Sequence, residues 1–155
     1  MEEVIFDAVD RRILIALQQH PDASIAELGQ IIGLSQTPCW RRMKRLQDSD
    51  VIRKRAWILD PVRLGLSVNV FAEVRLKQHD EETLEAFETM TSARQEIVEC
   101  FSMSGQSDYL LRIIVGSIAG YEVLLKKVLL HLPGVASINS SFALKAIKIA
   151  TDLPL

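Results

Sequence analysis

Through the first third of the chain apolar residues recur every three or four positions, and from residue 66 onward they alternate with polar ones. The first period belongs to helices and the second to half-buried strands. Val9, Ile13, Ala16 and Leu17 form the stripe of a helix predicted over Asp7 to Gln19, ended by His20-Pro21-Asp22. Ser24 with Glu27 three residues on is a capping box: the serine oxygen accepts from the backbone at Glu27, and the glutamate reaches back to Ser24. Ile25, Leu28, Ile31 and Ile32 continue at helical spacing, and Gly33 stands where a chain leaving a helix needs positive φ. Ser35 can cap a third helix with Pro38 in its first turn, where a missing N–H costs little. Proline cannot receive the cap, so the N–H of Thr37 should.

After these three helices, Val51 to Leu59 reads as a short strand or small wing, and Asp60-Pro61 breaks it. Leu66, Val68, Val70, Ala72, Val74 and Leu76 then alternate with polar positions as one face of a strand. Asp80 to Thr91 is a helix with Leu84, Ala86 and Phe87 inward. Ile97 to Met103 and Tyr109 to Val115 flank the turn Ser104 to Asp108 as a hairpin. A second amphipathic helix covers Ile118 to Leu132, Pro133-Gly134 ends it, and Val135 to Ile149 is a final long strand. The fold class is therefore α+β. A winged helix-turn-helix domain (1–58), a linker (59–66) and a ferredoxin-like βαββαβ domain (67–155) follow one another, the last with four antiparallel strands and two helices on one face. Both alternate sets of the third strand are mostly apolar, Leu111, Ile113 and Val115 against Leu110 and Ile114, so the second sheet face needs a cover as well. A second copy docked sheet to sheet is the economical one, and a two-fold dimer would present paired recognition helices.

The third helix carries the chemistry. At about 100° per residue, Cys39, Met43 and Leu46 share one face and Thr37, Arg41, Lys44 and Arg45 the opposite one, with Trp40 and Arg42 at the boundary. A tight helix, a glycine turn and a capped basic helix read as a DNA-binding helix-turn-helix. Gln36, Thr37, Trp40 and Arg41 are the candidates for base edges, and Arg42, Lys44, Arg45 and Arg53 for phosphates. Trp40 equally suits packing against the edge of the helical core. Residues 36–57 hold seven cations against two carboxylates, a local +5 in a chain whose formal net charge is −2. A phosphate footprint needs such a patch rather than a basic protein.

Bulk composition narrows the classes. With 155 residues and 48% apolar, the chain can bury two small cores. It has no long apolar run, and its N-terminus, MEEVIFDAVDRR, is acidic where a signal peptide would be basic, which points to a cytoplasmic protein without a membrane partner. Cys39 and Cys100 are isolated in apolar-periodic settings and read as buried, reduced thiols; no metal or other cofactor is called for. A small ferredoxin-like dimeric enzyme is the rival class, but His20, His79 and His131 fall at element ends with no nucleophile or carboxylate pair beside them. A stand-alone amino-acid-binding module is a third class, opposed by the basic helix.

Several short motifs stand in a specific order: Asp10-Arg11-Arg12-Ile13-Leu14, Glu27-Leu28, Gly33-Leu34-Ser35, Thr37-Pro38-Cys39-Trp40-Arg41-Arg42, Leu59-Asp60-Pro61, Gly105 with Asp108-Tyr109-Leu110-Leu111, and Leu132-Pro133-Gly134-Val135. In that order the chain resembles the Lrp/AsnC, or feast/famine, family of transcriptional regulators over nearly its whole length. The resemblance implies double-stranded DNA and an amino-acid effector as partners, and a homo-oligomer of dimers, commonly an octamer. It places the effector where dimers meet, at Ser102, Ser104, Gly105, Asp108, Asn139 and Ser141, with Asp108 toward the ammonium. Read alone, Asp108 is first a turn-closing residue. Three positions depart from the family pattern: Gln106 replaces an acid, Ser107 an aromatic or aliphatic residue, and Asp50 the usual glycine after the recognition helix.

Overall fold

Helices of the N-terminal region begin where a side chain can take over their unpaired N–H groups. In the computed structural model, which describes residues 6–155, α1 (Ala8–Gln19) opens on a capping box that the pattern of apolar positions did not reveal. Asp7 Oδ1 accepts from the N–H groups of Val9 and Asp10, each at 2.9 Å, and Asp10 Oδ2 takes the Asp7 N–H at 3.0 Å. The predicted box at Ser24 and Glu27 opens α2 (Ile25–Ile32), and Gly33 closes it in the left-handed region at φ 71°. The third helix, α3 (Gln36–Asp48), departs from expectation: Ser35 occupies the cap position but makes no side-chain hydrogen bond, so Thr37 N–H does not receive it. Ile13, Leu14 and Ala16 of α1, Leu28 and Ile32 of α2, and Cys39, Met43 and Leu46 of α3 bury one core.

No strand forms over residues 51–59. The run Arg53-Lys54-Arg55 interrupts its apolar positions, and no described strand of this region offers an edge. The segment is held by the Ile52 N–H on the Leu46 carbonyl at 3.0 Å and by Arg55 on Asp22 at 3.0 Å. The first five residues, part of the expected N-terminal domain, lie outside the described ones.

The second unit, Ile58–Lys148, is the expected sandwich of one sheet and two helices. Its elements run β1 (Val68–Leu76), α4 (Glu81–Ser92), β2 (Ile97–Ser102), β3 (Tyr109–Val115), α5 (Ile118–Lys127), a 3-10 turn (Leu129–His131) and β4 (Val135–Phe142). All pairings are antiparallel and the strand order is β2-β3-β1-β4, the ferredoxin-like arrangement. Alternation puts Val70, Ala72, Val74 and Leu76 of β1, and Tyr109, Leu111, Ile113 and Val115 of β3, in a core with Phe87, Tyr121, Leu124 and Leu129. The long helix predicted to Leu132 breaks at Val128 (φ −125°, ψ −65°) and finishes as the 3-10 turn.

The final strand is shorter than predicted. It stops at Phe142 instead of Ile149, because β1 begins at Val68 and offers nothing to pair beyond the Ala143 N–H on the Asn69 carbonyl. Ile149–Leu155 belongs with the first unit rather than with the expected 67–155 domain. There Leu153 N–H donates to Gln18 Oε1 at 2.6 Å, and Gln18 Nε2 donates back to the Leu153 carbonyl at 3.2 Å. Of the two thiols, Cys39 is buried as expected, whereas Cys100 is exposed on the edge strand β2.

Candidate functional site

Burying Cys39, Met43 and Leu46 turns the other side of α3 outward, and Gln36, Thr37, Trp40, Arg41, Lys44 and Arg45 are all exposed there. Trp40 is 52% exposed, which places it on the outer face and not in the core edge. Pro38, Arg41, Arg42 and Arg45 line a hollow of about 330 Å³. Lys44 is loosely approached by Asp48 at 3.9 Å, and Arg53 is exposed just past the helix.

Arg42 is the exception among the candidates. Its Nη1 donates to Asp7 Oδ2 at 2.7 Å and to Asp10 Oδ1 at 2.8 Å, and its side chain is only 29% exposed. Nη1 of this guanidinium is thus engaged by the first turn of α1 and its cap, and the two carboxylates, Asp7 first, hold it more firmly protonated. Arg45 gives one Nη2 donor to Asp10 while its side chain stays more than half exposed. Asp10, fully buried, is a residue that periodicity did not single out. Its position at N3 of α1 could have flagged a capping role, but its partners come from a helix 32 and 35 residues away.

At the other unit's turn the structure gives Asp108 an internal task. Asp108 Oδ2 accepts the Leu76 N–H at 2.7 Å, Oδ1 lies 2.8 Å from His79 Nε2, and the Asp108 N–H donates to the Val74 carbonyl at 2.9 Å. The Leu76 amide, and then His79, hold its carboxyl below the usual aspartate range. These bonds pin the β2–β3 turn to the end of β1. Ser102 pairs with Tyr109, a core residue, and so lies on the helix side of the sheet, away from the other candidates.

Asn139 and Ser141 lie opposite Glu73 and Phe71 on the face without helices. Here Glu73, Arg75, Gln106, Ser107, Ser137 and Asn139 surround a cleft of about 300 Å³. Asn139 Nδ2 donates to Glu73 Oε2 at 3.2 Å. Ser104 and Gly105 are exposed on the adjoining turn. Glu73, Arg75 and Ser137 were not singled out from sequence, although Glu73 and Arg75 are the polar half of the β1 alternation. Gln106 and Ser107, noted only as departures, line the cleft.

Comparison with known proteins covers both units. Residues 69–153 match the model of the Lrp/AsnC ligand binding domain, and residues 6–53 that of a winged helix-turn-helix DNA-binding domain. The chain is 33% identical over 151 residues to the DNA-binding transcriptional activator DecR of Escherichia coli, covering 97% of this chain and 99% of that protein. A crystal structure of an AsnC family transcriptional regulator from Agrobacterium tumefaciens superposes with TM-score 0.90 at 40% identity, covering 96% and 97% of the two chains. A Neisseria meningitidis transcriptional regulator in complex with L-methionine gives TM-score 0.91 at 32% identity, with 97% of each chain covered. A capped helix-turn-helix with an outward basic face, a ferredoxin-like partner unit and full-length relatives agree, and the chain belongs to the Lrp/AsnC family of DNA-binding transcriptional regulators.

Proposed function

We propose that this regulator reads duplex DNA with α3, using Gln36, Thr37, Trp40 and Arg41 at base edges and Lys44, Arg45 and Arg53 at phosphates. The observation that carries this reading is the exposed row of donors opposite the buried Cys39, Met43 and Leu46. Loss of a base contact costs about 1–3 kcal/mol and relaxes specificity, while loss of a phosphate contact flattens the salt dependence. Gel shifts with genomic fragments test it. If Arg41→Ala combined with Lys44→Ala leaves affinity and salt slope unchanged, α3 is not the reader.

The effector is a free amino acid held at the cleft beside the β2–β3 turn. Glu73 offers a carboxylate for its ammonium and Arg75 a guanidinium for its carboxylate, with Asn139, Ser141, Ser104 and the Gly105 backbone as neutral partners. The methionine bound by the Neisseria relative supports an amino acid as the ligand class. Calorimetry with the twenty amino acids, alongside operator titrations, tests this, and Glu73→Gln should weaken whichever one binds. Binding by none of them at millimolar concentration overturns the reading. An effector acts only through different affinities for competing states, and a coupling of about 1–3 kcal/mol is the expected scale.

The half-buried Leu110 and Ile114, with Phe71 and Phe101 exposed beside them, support a homodimer through the open sheet face, assembling further to an octamer. Light scattering on wild type and Ile114→Asp reads this, the charge being expected to dissociate the dimer. The division of labour is DNA binding by residues 1–58, a linker at 59–66 and effector response by 67–155, with the last seven residues returning to the first unit. The protein acts in the cytoplasm, where its DNA is, and not as an enzyme; no helix among the described residues is long and apolar enough to cross a membrane.

A further inference from the structure

Four cations line α3, yet two carboxylates of α1 stand behind them. Asp10 is fully buried and all its identified partners are donors: the Asp7 N–H at 3.0 Å, Arg42 Nη1 at 2.8 Å and Arg45 Nη2. Asp7, which caps α1, takes Arg42 Nη1 as well at 2.7 Å. The capping apparatus of one helix is thus the anchor for two arginines of another. Burying a carboxylate is costly unless it is paired and hydrogen-bonded, and the first turn of α1 supplies part of that compensation through its own amides.

We propose that Asp10 is a positioning residue for DNA recognition, which with Asp7 withdraws Arg42 from the phosphate-facing set and aims Arg45. The proposal rests on α3 being the DNA reader. A cation held by internal carboxylates neutralises no phosphate and so releases none of the counterions condensed on DNA, and Arg42 contributes nothing to the salt-dependent affinity. Arg45 differs. Its planar fork carries five donors, and anchoring one arm on Asp10 fixes the plane in which the remaining donors meet a phosphate, so less freedom is lost on binding. The helix therefore meets DNA with Arg41, Lys44 and an oriented Arg45. Removing one cation from the sequence-independent attraction widens the gap between specific and non-specific binding.

The test is fluorescence anisotropy of the full-length protein on two duplexes across a salt series. One is a genomic fragment selected by the wild-type protein; the other is its scrambled counterpart. Lys44→Gln should flatten the plot of log affinity against log salt by about 0.9, the value for one phosphate contact. Arg42→Gln should leave that slope unchanged, although thermal melting records a loss of stability. Asp7→Asn combined with Asp10→Asn, which keeps both acceptors but removes both charges, should steepen the slope by about 0.9 as Arg42 becomes free for phosphate, and narrow the ratio between the two duplexes. Arg42→Gln flattening the slope as much as Lys44→Gln overturns the proposal, whether or not the double aspartate variant folds. An unchanged slope for Lys44→Gln and Arg45→Gln together would instead overturn the assignment of α3 as reader.

Discussion

Asp108 Oδ2 accepts the backbone N–H of Leu76 at 2.7 Å across a sequence separation of 32 residues. That bond gives the aspartate at this turn a structural role. Leu76 is buried, so Asp108→Ala leaves its amide without an acceptor and should cost about 1–3 kcal/mol. Asp108→Asn keeps an acceptor and should cost less. Hydrogen exchange at the Leu76 amide checks this directly: it should accelerate in the alanine variant and change little in the asparagine variant.

Gly29 sits inside α2, where replacing glycine by alanine ordinarily stabilises by about 1 kcal/mol. A Cβ there would lie 2.7 Å from the Leu34 carbonyl oxygen, which is backbone of the turn into α3 and has little room to move. Gly29→Ala should therefore destabilise the first unit, by about 1–3 kcal/mol of overpacking, and chemical unfolding monitored by Trp40 fluorescence measures it. A gain in stability would show that the turn yields freely.

Asp50 follows α3 with φ 56°, the single non-glycine residue at positive φ among those described. Aspartate adopts that conformation at a cost which glycine avoids. Asp50→Gly should raise stability by up to about 1 kcal/mol, and equilibrium denaturation of the two proteins decides the sign.

Asp7 carries an acid-sensitive contribution. The Asp10 N–H and then Arg42 lower its carboxyl from an ordinary 3.8 to about 2. A depressed folded-state value means the contribution is complete above 3.8 and disappears as the pH falls through about 2. Helix content of the wild type should fall more steeply across this window than that of Asp7→Asn, which keeps a cap but cannot titrate. Parallel acid curves for the two proteins would remove Asp7 from the explanation.

What local chemistry dictates was legible in the chain: the capping box at Ser24 and Glu27, the left-handed Gly33, the buried stripe of α3 and the two-residue period of β1 each follow from neighbours a few residues apart. The ferredoxin-like order was legible too, because hydrophobic alternation and turn signals constrain the possible connections. Features that needed partners distant in sequence were not. A strand predicted from VIRKRAWIL lacked a neighbour to pair with, β4 ended where β1 ran out, and Cys100 fell on an edge. Arg42 and Arg41 are equally basic and adjacent, so composition treats them alike. Only the packing of α1 against α3 places Asp7 and Asp10 beside one and leaves the other exposed, and only the sheet register brings Glu73, Arg75 and Asn139 to one cleft while Asp108 bonds Leu76. The sequence by itself determined the elements and the kind of protein they build. Tertiary structure decided which of its charges remain available for a partner, because a charge is assigned by whatever lies within a few ångströms of it, and for these residues the nearest groups come from other elements.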